Sequence, residues 1–439
     1  MKSFTDNISS IMNLLTLIFL IFTSNVFTAT KENQNNTINI KLTPLGAIKA
    51  GNASSIPEWK NGEQELNSEK LFIIDKNNYK NYLENLTEGQ IAMLENYGDS
   101  FNMPVYASQR TAIAPQWVYD NTQHNSNNAR LNSDKSGFEN AKAGIPFPQP
   151  KSALEIYFNH VARWRGLQLK NTASDAVVYK NGNYTLTTRE SIIRYDGYIE
   201  NSSSKYFISV LAKTIAPATK SGSGVLVLEP LDQLNDKRAS WLWDKGRRRV
   251  IRAPQIAYDN PVQSSGSLRT VDDTDMISGS PDRFDWEIVG KKEIFVPYNN
   301  ERLDDKDLKY GEILHAKHIN PEYTRYELHR VWVIRATLKP EWRHIYSKRE
   351  FYIDEDSWQV LIADQYDKKG ELWRVSMSYP KFYKEIPGIF HVINVFHDLT
   401  NQQYHVMGLQ NELESKNEFN GKIVKDNMFT PNGFKMYMK

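Results

Sequence analysis

The chain has 439 residues, no cysteine, and 54 basic against 52 acidic residues, which gives a formal net charge of +2. Neither sign of charge forms a long block, so there is no electrostatic reason to expect a nucleic-acid partner. The lack of cysteine excludes disulfides, thiolate zinc sites and cysteine nucleophiles, and we expect no lipid-modified N-terminal cysteine.

The first segment of the chain predicts export. Lys2 precedes an apolar run, Ile11–Phe22, which is followed by small or polar residues. The run is too short to span a bilayer and is typical of the hydrophobic part of a secretory signal peptide. We predict a signal peptide over residues 1–29, cleaved between Val26 and Thr30, with an uncleaved membrane anchor as the alternative.

An exported chain without disulfides must be stabilised by its core alone. This favours a bacterial periplasm over a eukaryotic secretory route. We therefore expect an exported, soluble periplasmic protein that is not lipid-anchored.

Residues 30–150 are predicted to form an N-terminal leader followed by a helical and loop region. Thr87 and Gln90 have the spacing of a capping box at the start of a helix. Ser152 and Glu155 predict a second helix, and Gly166 stands where that helix would end. Between the two helices, residues 103–131 are predicted to be loop.

Residues 151–439, which begin with the second helix, are predicted to form a curved antiparallel β-sheet domain. The pattern changes to period two near Val177, and Asn181–Gly182 is a strong hairpin signal. A second hairpin is predicted to turn at Asp244–Gly246. Later apolar and charged residues alternate in short consecutive strands, which favours an antiparallel meander. The predicted fold class is mainly β with helices (α+β): a large curved antiparallel sheet, or incomplete β-barrel.

The stretch Thr270–Asn300 is dense in carboxylates. Its aspartates are Asp272, Asp273, Asp275, Asp282 and Asp285. It does not fit an EF-hand, because Ile277 stands at a ligand position and the required glutamate is missing. Aspartates also bond to loop amides, so we predict a structural loop, with divalent-ion binding as the alternative. Asp282 or Asp285 is expected to take part in a buried polar clamp. Its partner would be Arg283 or Lys291.

Histidines give no convincing metal or catalytic site. Glu312, His315 and His318 lack the H-E-x-x-H pattern, and residues three apart on a strand face opposite sides. His391 and His397 would lie about 20 Å apart on an extended strand. No G-x-S-x-G, phosphate-loop or Rossmann pattern is present. We therefore predict a non-enzyme without metal or cofactor. A hydrolase with paired carboxylates is the least favoured alternative.

Tryptophans on predicted strands are the candidate ligand-binding residues. The candidates are Trp241, Trp243, Trp286, Trp332, Trp358 and Trp373. They could line a pocket on the concave apolar face, where each buried methylene of a ligand contributes roughly 0.8 kcal/mol. Ordinary sheet core is the alternative, and it is favoured for most of them.

Several motifs together resemble a bacterial family of exported proteins of undefined function. They include "LTPLGAIKAGNASSIPEW", "RRRVIRAPQIAYDNP" and "LRTVDDTDMISGSPDRFDWEIVGKKEIFVPYNN". Members are often labelled outer-membrane lipoprotein-sorting-protein-like. The resemblance implies a fold similar to the carriers LolA and LolB, with helices as a lid over an apolar cavity. It also implies an RND-type exporter and an outer-membrane protein as partners, and it brings no established site residues.

These observations lead to two hypotheses. In the first, the protein is a periplasmic carrier that holds a lipid-like molecule against the concave face of the sheet. In the second, the interior is filled by side chains, and the protein is a non-catalytic assembly or interaction scaffold of the cell envelope.

Overall fold

A computed structural model describes residues 41–52, 55–62, 66–200, 204–253, 259–414 and 417–439. The predicted signal peptide lies outside the described residues. Lys41–Lys439 form one compact unit. The fold is mostly β, with a few helices.

The structure contains five α-helices and several short 3-10 helices. The α-helices are α1 (Glu88–Tyr97), α2 (Gln116–Asn128), α3 (Ala153–Ala162), α4 (Tyr310–Ile313) and α5 (Pro431–Met438). The 3-10 helices are Tyr79–Asn85, Asp196–Tyr198, Gln263–Ser265, Val271–Met276, Pro281–Arg283, Glu301–Asp304, Pro321–Tyr323 and Asp426–Phe429. All of these counts refer to the described ranges.

The strands fall into two groups along the chain. The first ten are β1 (Lys70–Ile74), β2 (Met103–Tyr106), β3 (Arg130–Leu131), β4 (Phe138–Glu139), β5 (Gln168–Val178), β6 (Tyr184–Arg194), β7 (Ile208–Ala216), β8 (Gly224–Glu229), β9 (Ala239–Asp244) and β10 (Arg249–Arg252). The others are β11 (Phe284–Pro297), β12 (Tyr326–Leu338), β13 (Lys348–Asp354), β14 (Val360–Tyr366), β15 (Leu372–Tyr383), β16 (Gly388–Asp398), β17 (Gln403–Leu409) and β18 (Glu418–Phe419).

One 16-stranded sheet dominates the fold. Its order is β1-β2-β12-β13-β14-β15-β16-β17-β5-β6-β7-β8-β9-β10, with β11 paired to β12 and β18 paired to β5. Neighbouring strands are antiparallel except β2 and β12, which pair in parallel. Two meanders, β12–β17 and β5–β10, therefore join where β17 pairs with β5. Within the described residues the order ends at β1 and β10, so the sheet is curved but does not close into a barrel. It draws strands from both sides of residue 150.

The predicted hairpins are present. β5 and β6 pair across the Asn181–Gly182 turn, where Gly182 adopts a φ of +88° that suits glycine. β9 and β10 pair across the turn that follows Asp244. The later short strands that were predicted to follow one another in an antiparallel meander include β12 to β16.

The two predicted helices begin as expected. Thr87 and Gln90 form the capping box of α1, with both reciprocal bonds. Ser152 caps α3 by accepting a bond from the Glu155 amide, while the Glu155 side chain accepts one from the amide of Lys151. The predicted end at Gly166 is wrong, because α3 ends at Ala162 and the extended backbone of Arg163 follows it.

The prediction of loop over residues 103–131 is also wrong, since this range contains β2 and α2. Helix α2 is polar, so it lacks a strong apolar period. It is held instead by side-chain bonds: Thr122 Oγ1 accepts from the Ile145 amide, and Asn125 donates to the carbonyl oxygens of Lys142 and Ile145. Buried polar bonds of this kind leave no hydrophobic pattern in the sequence.

Three apolar clusters form the core. The first joins α1 to β11–β16, and the second lies beneath α3, on the other face of the same strands. The third packs Phe434 and Met438 of α5 against Leu211 and Leu226 on β7 and β8. Helix α5 thus covers one face of the β7–β8 hairpin and leaves the opposite face for another partner.

Candidate functional site

A cavity of about 320 Å³ lies between α3 and the inner face of β5–β8. Leu169, Asn171, Ala173 and Asp175 on β5 all border it, because alternate residues of a strand face the same side. The volume is at the lower end of the ~300–1,000 Å³ that is usual for small-molecule sites. We call this space the α3 cavity.

The walls of the α3 cavity are mostly apolar. Those walls include Phe158, Val161, Leu169, Ile193, Ile208, Val210, Val225, Ile277, Phe390 and Met407. Several of them, such as Ile193 and Val210, are only half-buried although they point inward. A half-buried apolar wall is what a hydrophobic ligand could cover. A larger depression of about 660 Å³ beside Leu42 and Tyr119 is more open.

Helix α3 covers the cavity and is fixed to the aspartate-rich loop. Tyr157 and Phe158 supply its inward side chains, and the Tyr157 hydroxyl donates a 2.6 Å bond to the carbonyl oxygen of Gly279. Thr274, Asp275 and Ile277 of this loop border the cavity as well. The stretch that stood out in the sequence therefore forms one wall of the site.

One end of the cavity is charged. Asp275 adopts a φ of +56° and accepts bonds from Arg163 (2.5 and 2.9 Å) and from Arg165. Burial acts to raise the pKa of Asp275, but the two guanidinium groups outweigh burial and hold that pKa far below its usual range. This carboxylate is therefore ionised at neutral pH.

A second ion pair on the cavity wall lies further along β5 and β6. Arg189 forms an ion pair with Asp175 and donates a 2.9 Å bond to Ser264. Burial acts to raise the pKa of Asp175, but Arg189 and His405 lower it to about 2. Arg269 also borders the cavity, donating to Thr274 Oγ1 at 3.0 Å.

His391 is the histidine of the cavity wall. Burial lowers its pKa to about 4, so its imidazole is neutral at pH 7. Its ring stacks on Phe390, with 4.1 Å between the ring centroids. It adds a polar but uncharged surface to the wall.

Comparison with known sequences identifies the family. The chain matches a family described as "Protein of unknown function (DUF1329)" over residues 73–435. The chain belongs to the DUF1329 family. An uncharacterized protein of Pseudomonas aeruginosa is 38% identical over 426 residues, 92% of this chain and 93% of that relative. These matches confirm the family resemblance that the sequence motifs carried.

Solved structures resemble parts of this DUF1329 chain. A DUF1329 family protein from Desulfovibrio piger is 14% identical, with a TM-score of 0.42, over 61% of this chain and 92% of its own. A LolA superfamily protein from Nitrosomonas europaea is 12% identical, with a TM-score of 0.38, over 64% and 98%. A Vibrio parahaemolyticus domain named for outer membrane lipoprotein sorting is 15% identical, with a TM-score of 0.44, over 64% and 98%.

The described part of this DUF1329 protein includes no helix with the length and apolar character needed to cross a bilayer.

The six predicted tryptophans do not converge on one site, and none of them is among the described residues that border the α3 cavity. Trp358 is fully buried, and its Nε1 donates to the carbonyl oxygen of Leu45 at 2.8 Å. Trp286 packs against Tyr157, with 5.3 Å between their ring centroids. Trp332 lies under the ammonium of Lys291.

The other three tryptophans lie on more distant strands. Trp241 and Trp243 belong to the cluster beneath α5, on the face of the sheet that α5 covers. Trp373 donates a 3.0 Å bond to Asp398 and lies against Arg374. Their role in ligand binding stays a prediction.

The residues that do line the cavity were missed, although the sequence held one signal for them. The hairpin of β5 and β6 was predicted, and its alternation puts Leu169, Ala173, Ser191 and Ile193 on one face. Alternation tells which residues share a face. It does not tell which face is left uncovered by the rest of the protein.

The remaining aspartates of the loop fasten it to the sheet. Asp272 accepts bonds from His344 (3.1 Å) and Arg349 (2.9 Å), and Asp273 accepts from Tyr346 (3.0 Å). These contacts agree with the structural-loop interpretation. Two residues of the proposed clamp do not form it, because Asp285 is exposed on β11 and Lys291 pairs with Glu355 at 2.8 Å. A clamp between Asp282 and Arg283 stays a prediction.

The histidines singled out in the sequence are not part of the one ligand group that could hold a metal ion among the described residues. His315 is exposed, whereas His318 is fully buried and lies 2.7 Å from Ser100 Oγ. They follow the short helix α4 instead of lying on a strand. His397 is buried on β16, beside the Val375 carbonyl oxygen.

One described cluster has the composition of a metal site. Ligand atoms of His329, Asp354 and Asp356 lie within 4.8 Å of one another. Arg110 already binds both oxygens of Asp356, at 2.7 and 2.8 Å, and His329 Nε2 lies 3.0 Å from Glu327. The arrangement is that of a buried charge network in the core, away from the α3 cavity.

Carboxyl groups with raised pKa values also lie in the core. Burial raises the pKa of Asp354 to about 6 and that of Asp364 to about 7. Neither residue borders the α3 cavity. A hydrolase would need such a pair in a cleft, so this geometry gives the hydrolase alternative no support.

Proposed function

We propose that this DUF1329 protein binds a lipid-like hydrophobic molecule in the α3 cavity and carries it through a bacterial periplasm. The observation that supports the proposal is the cavity of about 320 Å³ with mostly apolar walls from α3 and β5–β8. Carriage needs no covalent chemistry and no cofactor. It needs only a shielded apolar surface and a cover that can open.

The energetics favour an alkyl chain as the bound group. Each methylene transferred from water contributes roughly 0.8 kcal/mol. The sum over a chain must exceed the cost of ordering the ligand and any movement of the cover. Ile193, Ile208 and Val210 are half-buried and inward-facing, so they gain burial only when the cavity is occupied.

The cellular setting is part of the proposal. The signal-like N-terminal segment supports export, and the family resemblance supports an RND-type exporter and an outer-membrane protein as partners. In this scheme the protein receives its hydrophobic cargo from the inner membrane and delivers it to the outer membrane.

A non-catalytic envelope scaffold is the second candidate. The observation that favours it is the solid interior around β13 and β14, where nearly every side chain on both faces is buried. A scaffold would use its outer surface for interaction and would need no ligand.

Mutation of the cavity separates the two candidates. Val210→Trp places an indole into the cavity, and Ile215→Trp, at an exposed position of the same strand, is the matched control. We expect lipid to co-purify with the native chain and the Ile215→Trp variant, as detected by mass spectrometry of organic extracts. The Val210→Trp variant should lose it while keeping its melting temperature.

The scaffold predicts a different result. It expects no lipid with any of the three proteins and unchanged crosslinking to envelope partners in all of them. A native chain that neither co-purifies with lipid nor binds added lipid contradicts the carrier function.

A further inference from the structure

Three arginines, Arg165, Arg189 and Arg269, border the α3 cavity. Arg165 forms an ion pair with Asp275, and Arg189 forms one with Asp175. The hydrogen-bond acceptor of Arg269 among the described residues is the neutral hydroxyl of Thr274. The positive charge of Arg269 is therefore in excess at its end of the cavity.

The other titratable groups of the wall do not cancel this excess. His391 and His405 have pKa values lowered by burial, so both are neutral at pH 7. Glu229, which also borders the cavity, pairs with Arg238 at 2.6 Å. Asp273, nearby in the loop, is held by Thr270 and Tyr346.

Two of the three arginines that border the cavity have a buried N–H group that lacks a partner. Arg165 is 4% exposed and Arg269 is 5% exposed, and the Nε atom of each has no hydrogen-bond partner. A buried charged donor left unpaired is costly, and such groups in native proteins call for an explanation. An anionic oxygen at the Arg269 end of the cavity would satisfy both the charge and the Nε donor of this residue.

We propose that this end binds the anionic headgroup, a carboxylate or a phosphate, of an amphipathic lipid whose tail lies along Val161, Ile193 and Val210. The inference rests on the proposed function and names its ligand class. Guanidinium groups suit such headgroups, because their planar donors match two oxygens at once. Arg269 is the residue with the fewest competing contacts, since its one side-chain acceptor is the neutral hydroxyl of Thr274.

The alternative explanation is a purely structural clamp. In that case Asp175 and Asp275 would fasten the arginines, and the cavity would accept hydrophobic molecules whatever their charge. The two explanations differ in how affinity depends on the headgroup at constant tail length.

The experiment is a titration of the full chain with a matched ligand series, followed by isothermal calorimetry. The ligands are dodecanoate, dodecyl phosphate, dodecanol and dodecyltrimethylammonium, with inorganic phosphate as the tail-free probe. We expect the two anionic amphiphiles to bind about tenfold more tightly than dodecanol, as a charge-assisted hydrogen bond gives. The cationic amphiphile should bind most weakly of the four.

A variant tests whether Arg269 is the residue that binds the headgroup. Arg269→Gln should weaken dodecanoate about tenfold and leave dodecanol unchanged. Arg335→Gln is the matched control, since Arg335 lies on β12 and pairs with Glu287 and Glu350 away from the cavity. If Arg269→Gln does not fold, the headgroup series on the native chain still decides the question.

The outcomes are distinct. Equal affinity for dodecanoate, dodecanol and dodecyltrimethylammonium overturns the headgroup inference but leaves the carrier function standing. Failure of every amphiphile to bind overturns both. Inorganic phosphate binding as tightly as dodecyl phosphate shows a free-anion site and overturns the assignment to a lipid.

Discussion

The two halves of the sheet use their faces differently. Strand β14 is buried along its whole length, with the α1 cluster on one face and the cluster beneath α3 on the other. Strand β7 is covered by α5 on one face only, and its other face borders the α3 cavity. The same type of strand therefore belongs to the core in one half and forms a cavity wall in the other. The two strands differ in how many of their faces are packed against an apolar cluster: two faces for β14, and one face for β7.

The interior is thus filled with side chains in one half of the molecule and contains a cavity in the other. The β12–β16 half forms a close-packed frame with an apolar cluster on each of its two faces. The β5–β8 half is attached to that frame through β17, so it can leave one face unfilled without losing stability elsewhere. The aspartate-rich loop joins the halves, because Asp272 bonds to β13 while Asp275 lies at the cavity.

We expect the largest loss of stability from a substitution of Asp275, in the loop that joins the two halves. Asp275→Asn keeps the left-handed backbone conformation that asparagine tolerates, but it leaves Arg163 and Arg165 buried without their ion pair. We expect the free energy of unfolding to fall by about 3 kcal/mol, measured by urea denaturation. Asp285→Asn, at an exposed position of β11, is the control and should change it by less than about 0.5 kcal/mol. Similar losses for both variants would refute the junction role.

A truncation in the solid half should have a comparable effect. Leu361 is fully buried on β14, so Leu361→Ala leaves a void and should cost about 3 kcal/mol of unfolding free energy. Leu242→Ala on β9 is the matched control, since Leu242 is 38% exposed. It should cost less than about 1 kcal/mol. A small loss at Leu361 would mean that the β14 interior is loosely packed.

The solid half also predicts a pH-dependent effect at Asp364. Burial raises the pKa of this carboxyl from its ordinary 3.8 to about 7, so between these values the folded state keeps a proton that the unfolded state releases. The contribution of Asp364 to the free energy of unfolding therefore falls as pH rises through this window, by about 1.4 kcal/mol per pH unit.

Asp364→Asn resembles the protonated form and should not show this loss. We expect its stability advantage over the native chain to grow as pH rises from 3.8 towards about 7 and then to level off. Subtracting native from variant stability removes the contributions of the buried histidines, which act in the opposite direction. A difference that stays constant across this window contradicts the assignment.

The smallest expected effect comes from adding one methyl group to each half, which compares directly how well the two halves are filled. Val333 is fully buried on β12, whereas Val210 borders the cavity. Val333→Ile adds a methyl group to a filled core and should destabilise the protein by about 1 kcal/mol. Val210→Ile adds the same group to free space and should be neutral or slightly stabilising. Equal losses in thermal unfolding would mean that both halves are equally filled.

The sequence predicted the architecture better than the site. The Asn181–Gly182 turn and the capping residues Thr87 and Ser152 act locally, so they could be recognised from neighbouring residues. Helix α2 could not, because Thr122 and Asn125 are held by bonds to a distant loop instead of an apolar face.

The tryptophans show the limit of reasoning from residue type. Trp358, Trp286 and Trp373 each satisfy their indole N–H with an oxygen of the protein itself. The cavity is lined by smaller residues whose free face depends on where α3 and α5 pack. That placement is a tertiary property, and strand alternation alone does not contain it.

The most direct test is a crystal structure of the full chain with dodecanoate that carries bromine at its tail end. Anomalous scattering locates the bromine without reference to any other density. The account predicts a bromine peak between α3 and β5–β8, within contact of Val161, Ile193 or Val210. A peak only on the outer surface of the molecule, with the α3 cavity empty, would contradict it.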